Sequence, residues 1–169
     1  LFPYTTLFRS LGDVVDLWRR RLDDVILEQH ENISRLCEDD CINIRGNHDF
    51  ILDEVYPDYK SHEHHVDVDI HYIHGYQLEI MSHSTPFTKE SYERIARLLC
   101  YTNNTMGGLF SIAWNNMVDI INLLRSGHKC DDGRLELYTR FADKIYKNVF
   151  FGHFHRSCNI GGAHGLRAL

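Results

Sequence analysis

The chain has 169 residues, of which 43% are hydrophobic and 25% charged, a balance that fits one folded domain with a real core and excludes a disordered or fibrous chain. Its formal net charge of -6 makes the surface a poor general attractor for nucleic acid or an anionic membrane. The unusual feature is its 12 histidines, because imidazole is the commonest metal ligand and the usual acid or base near neutral pH.

The cysteines Cys37, Cys41, Cys100, Cys130 and Cys158 are odd in number and show no C-x-x-C spacing, which argues against a disulfide framework and a thiolate zinc knuckle and favours a reducing compartment. No apolar run approaches the roughly 18 residues that span a bilayer. The opening residues LFPYTTLFRS lack the charged-then-apolar order of a signal peptide. A cytoplasmic protein is expected.

In chain order, Val15, Trp18, Leu22, Val25, Ile26, Ile33 and Leu36 recur at helical spacing and predict one amphipathic helix over 14–36. Residues 41–45 then read as a short strand entering the turn Gly46-Asn47-His48-Asp49. The stretch His62-Glu63-His64-His65 follows Pro57 and reads as a solvated loop. Alternating apolar and polar residues predict a strand from Val66 to His74, ended by Gly75. From about 88 to 146 the periodicity is helical, with stripes through Leu109, Ile112, Met117 and Ile120 and again through Leu135, Tyr138, Phe141 and Ile145. Trp114 falls within these stripes and reads as helix packing. Asn148–Phe151 has the composition of a buried strand and runs into Gly152-His153-Phe154-His155, and the glycines at 161, 162 and 165 predict a closing hairpin.

Strand, glycine turn and metal-capable residue thus recur, with helices between, which suits an α/β fold whose site lies at the carboxyl ends of strands. Four elements carry the chemistry: Gly12-Asp13-x-x-Asp16, Gly46-Asn47-His48-Asp49, His74-Gly75 and Gly152-His153-x-His155. Each alone is weak. Asp13 by itself would serve equally as a helix N-cap, and Asp16 reads as a solvated or capping residue.

Together and in this order, over residues 11 to about 160, they resemble the calcineurin-like metallophosphoesterase family. The resemblance implies an α/β fold, a four-layer α/β/β/α sandwich with a helical cap insertion at about 88–146, within a phosphoesterase domain spanning 11–169. It implies two divalent metal ions, Mn, Fe or Zn, with Asp13 shared between them. Asn47, His74 and His153 would complete the shell of one ion, and His155 would go to the other. His48 corresponds to the residue that binds or protonates the departing oxygen, with Asp49 as the carboxylate that orients it. The activity implied is hydrolysis of phosphomonoester, phosphodiester or pyrophosphate bonds by metal-activated water, on a small phosphorylated substrate.

Family members open with an Asp-x-His strand that supplies ligands to the first metal, and no such pair precedes Asp13. Residues 1–10 do not resemble that opening and read as a non-native leader on a fragment. One well-held ion is therefore expected here. Other functions stay open, a nuclease among them, although the net charge of -6 counts mildly against it. The segment Leu11–Trp18 and the helical insertion resemble the branch containing UDP-2,3-diacylglucosamine pyrophosphatases, although that branch usually has arginine where His48 stands. A noncatalytic metal-binding relative, or an inactive fragment, is the rival from a different class.

Overall fold

The structure is a computed structural model that describes residues 8–18, 20–38, 40–82, 86–106, 112, 113, 116, 131–153 and 158–165. It is mixed α/β, with two sheets and, among the described residues, five helices. The smaller sheet is parallel, in the order β1 (Phe8–Ser10), β2 (Cys41–Ile44), β3 (Ser61–His62). The larger contains β4 (His64–Asp67), β5 (Ile70–Ile73), β6 (Asn148–Phe151), β7 (Cys158–Ile160) and β8 (Ala163–Gly165), in the spatial order β4-β5-β6-β8-β7. Its three central strands β5, β6 and β8 are parallel, and the edge strands β4 and β7 are antiparallel to their neighbours. The helices are α1 (Leu22–Leu36), α2 (Leu52–Val55), α3 (Tyr76–Met81), α4 (Lys89–Met106) and α5 (Asp131–Ile145). No described helix is long and apolar enough to cross a membrane.

Strand composition and closing hairpin match expectation: β2 and β6 lie where predicted, and β7 and β8 pair around Gly161-Gly162. Three expectations are corrected. The helix expected from residue 14 begins only at Leu22. Upstream, the Asp49 carboxylate takes the Val14 N–H at 2.8 Å and the His48 carbonyl takes the Leu17 N–H at 3.1 Å, so backbone donors that a helix would use are committed to another loop, while Val15 and Leu17 are buried against it. The strand expected over 66–74 is two strands. Asp67 pairs with Ile70 across a two-residue turn at Val68-Asp69, and Val68 turns with φ 58° although it is β-branched. The stretch His62–His65 is not loop throughout: His62 pairs with Ile44 and His64 with Ile73 on either side of a bend at Glu63, and His62, Glu63 and His64 are exposed as expected.

Two apolar clusters hold these elements. The first joins Val15, Leu17, Phe50, Ile51, Leu52 and Tyr76 to Val25 and Ile33 of α1 and to Ala96 and Cys100 of α4. The second joins Ile73, Val149 and Phe151 of the larger sheet to Leu78 of α3 and Leu135, Tyr138 and Ala142 of α5. Helix α1 also carries Asp23 and Asp24 in its first turn and Arg35 in its last, the charge order that its dipole favours. Cys37, Cys41 and Cys100 are free thiols.

Candidate metal centre

Four strand ends deliver the four motifs to one place. β1 leads into Leu11-Gly12-Asp13, β2 into Gly46–Asp49, β5 into His74 and β6 into Gly152-His153. In the larger sheet Ile73 pairs with Phe151, so the residues just beyond that pair are His74 and Gly152, and the Gly152 N–H donates to the His74 carbonyl at 2.9 Å. The same sheet register therefore brings His153 beside His74, with ring centroids 4.9 Å apart. His74 reaches the β1 end as well, through its Nδ1 at 2.6 Å from the Leu11 carbonyl.

Glycine is required at two of these turns for a stated reason. A Cβ on Gly46 would lie 2.2 Å from both the amide nitrogen and Oδ1 of Asp13. Gly75 has φ 125°, and a Cβ there would lie 2.9 Å from the Cβ of His153. Each glycine thus makes room for a ligand contributed by a different motif. Asp13 and His153 themselves adopt φ values of 53° and 70°. Two non-glycine residues in the left-handed region within one cluster are strained backbone of the kind that collects at functional sites.

The proton count around His74 limits how its neighbours can be satisfied. Its Nδ1–H is committed to Leu11, so in neutral imidazole Nε2 carries a lone pair. Around that Nε2 stand Asn47 Oδ1 at 3.0 Å, His153 Nδ1 at 3.1 Å and Asp13 Oδ2 at 3.2 Å. One proton on Nε2 would serve one of the two oxygens, and the direction of the His153 contact depends on the tautomer of that ring. A cation satisfies all four atoms together, and the carboxylate, amide oxygen and imidazole set suits Mn, Fe or Zn rather than a soft thiolate-seeking ion. Asp13, His74 and His153 each offer a ligand atom within 4.8 Å of the others. Asn47 and His74 are 2% and 1% exposed, so these polar groups cannot turn to water instead.

Electrostatics follow from this crowding. Burial raises Asp13, but the hydrogen bond and charge of His74 outweigh it and hold the carboxyl well below its ordinary range. Burial lowers His74, yet Asp13 overrides it and leaves the imidazole above its usual value. For His153 burial wins, and its value falls. Asp49 is pushed up to about 7 by burial and by the Asp13 charge.

His48 occupies a different setting beside this cluster. Its backbone N–H donates to Asp13 Oδ1 at 2.9 Å, while its ring Nδ1 lies 2.8 Å from Asp16 Oδ1. Trp18 stacks on the imidazole with centroids 4.3 Å apart and planes at 16°. The side chain is 25% exposed, so it can reach solvent while held on one face and at one nitrogen. From below, the Cys100 thiol donates to the His48 carbonyl at 3.6 Å, which ties α4 to the loop.

The structure brings together Asp13, Asn47, His74 and His153, and it places His48 next to them. The carboxylate at the His48 ring is Asp16, not Asp49. Asp49 accepts from the Gly46 and Val14 N–H groups, each at 2.8 Å, and braces the loop. His155 and Trp114 lie outside the described residues. Asp16, expected as a solvated or capping residue, and Trp18, expected on a helix face, stand instead at the His48 ring, and the Leu11 carbonyl was not anticipated. The Asp-x-x-Asp spacing was the available signal for Asp16, whereas nothing in the sequence marks a backbone carbonyl. The chain matches no family model, no curated protein and no solved structure.

Proposed function

We propose that the chain is a metal-dependent phosphoesterase that holds one divalent cation through Asp13, Asn47, His74 and His153 and uses His48 on the departing oxygen. The observation that carries this reading is the meeting of four electron-rich atoms at His74 Nε2 with a separately braced imidazole alongside. A bound cation supplies charge stabilisation for a phosphoester oxygen and lowers the pKa of water. The protein's own residues do the rest. With Asp16 accepting the Nδ1–H of a His48 imidazolium, the Nε2–H is the proton available to the leaving group, and Trp18 prevents the ring from turning away. The left-handed turns at Asp13 and His153 fix the ligands before substrate arrives. In this reading the two sheets are the inner layers of an α/β/β/α sandwich, and the helical segment at about 88–146 flanks the site as a cap for a small phosphorylated substrate.

The test is hydrolysis of aryl and alkyl phosphodiesters by the Mn-loaded chain and its His48→Ala variant. General acid catalysis is worth about 10²–10⁴-fold, and that loss is expected with the strongly basic alkoxide leaving group. With p-nitrophenolate, which departs without help, the loss is expected to be much smaller. The variant should keep its metal. Equal losses on both substrates, or loss of metal on removing His48, would refute the role.

A further inference from the structure

His153 has two ring nitrogens facing different partners. Nδ1 lies 3.1 Å from His74 Nε2 within the ligand cluster, whereas Nε2 lies 3.7 Å from Oε2 of Glu79. Glu79 sits on α3, the six-residue helix that starts immediately after His74-Gly75. That helix is short, but its orientation is fixed from both sides. Tyr76 is 1% exposed in the first apolar cluster and Leu78 is fully buried in the second. Burial of Tyr76 and Leu78 thus sets where the helix presents Glu79, whose side chain is 29% exposed.

We propose that Glu79 is the positioning residue for His153, its carboxylate accepting the Nε2 proton and thereby turning the Nδ1 lone pair toward Asp13 and His74. A neutral imidazole can carry its proton on either nitrogen, and only the form protonated at Nε2 is a ligand through Nδ1. A carboxylate at the far nitrogen selects that form, fixes the ring plane and makes the ligating nitrogen more basic. The charge of Glu79 acts at 3.7 Å already, and a small approach closes a direct hydrogen bond when a cation draws on Nδ1. This also gives a reason for the strained backbone at His153: with φ at 70°, the ring can stand between the cluster and α3.

The inference rests on the cation reading of the cluster, and the test separates the two. Co²⁺ and Zn²⁺ affinities are measured on the full chain by competition with a chelator, together with the Co²⁺ absorption spectrum and the urea midpoint of the metal-free protein. Partners of this kind typically contribute about 10–100-fold to metal affinity. Glu79→Ala is expected to weaken binding by that factor and to change the Co²⁺ bands. Glu79→Gln keeps the shape and one acceptor oxygen but no charge, and its loss should be smaller. The metal-free midpoint should move little in either variant. Glu79→Gln with a normal midpoint decides the matter if Glu79→Ala does not fold. Wild-type affinity and spectrum in both variants, with the parent chain binding normally, would overturn the role of Glu79 alone. A parent chain that binds neither ion would overturn the cation reading with it, and a weakening matched by an equal loss of metal-free stability would reduce Glu79 to a packing residue.

Discussion

Replacing Asp49 with alanine separates bracing from chemistry in the loop that carries His48. The Asp49 carboxylate is 3% exposed and accepts two backbone N–H groups, Gly46 at 2.8 Å and Val14 at 2.8 Å. Removing it strands the buried Gly46 N–H and takes the partner from the half-buried Val14 N–H. Each unsatisfied buried group costs about 1–3 kcal/mol, so Asp49→Ala should destabilise the chain by about 2–6 kcal/mol. Asp49→Asn keeps one acceptor oxygen and should cost about half as much. Urea unfolding of the metal-free protein reads this as a lower midpoint at unchanged slope. Because the same two bonds set the 14–18 turn against the 46–49 loop, cation affinity should fall along with stability. A variant within about 0.5 kcal/mol of the parent that turns over more slowly would refute the bracing argument and would return Asp49 to the role of orienting His48.

The remaining predictions concern the His48 pair, the ligands and one glycine. Asp16→Asn should lower kcat because it removes the negative charge 2.8 Å from His48 Nδ1 while keeping one acceptor oxygen, and the His48→Ala/Asp16→Asn double variant should be no slower than His48→Ala alone, as expected of two residues acting as one unit. Cation affinity should fall as pH falls: the Asp13 carboxylate raises His74 above its ordinary 6.5, the proton must leave before Nε2 can ligate, and the apparent affinity drops about tenfold for each pH unit below that raised value. Calorimetric titration with Mn²⁺ across pH measures it, and a flat profile would contradict the ligand assignment. Gly46→Ala should cost about 3 kcal/mol, since its Cβ would sit 2.2 Å from the Asp13 backbone and carboxylate, and metal binding should be lost at the same step.

The sequence showed most clearly what short local patterns encode. Asn148–Phe151 is apolar and bounded by turn residues, and it forms β6; the glycines at 161 and 162 close the β7–β8 hairpin. The residues of the cluster were legible because each motif keeps a glycine beside a metal-capable side chain. Tertiary pairing hid the rest. Residues 14–18 have helical periodicity, yet their N–H groups go to Asp49 and His48, and that bond pattern also places Asp16 and Trp18 at the imidazole. The turn at Val68-Asp69 carries no glycine or asparagine, and Asp67 and Asp69 fall on the polar positions of the alternation, so the segment reads as one strand. Helix α3 is too short to show a period, which is why Glu79 went unnoticed.

The central claim is that Asp13, Asn47, His74 and His153 hold a divalent cation. Equilibrium dialysis against Mn²⁺ or Zn²⁺ followed by elemental analysis tests it most directly, on the parent chain and on His74→Ala. The account predicts about one tightly held ion per chain in the parent, from the donor set gathered among the described residues, and none in the variant. A parent chain that emerges without metal, or a His74→Ala variant that retains the parent's full complement, would contradict it.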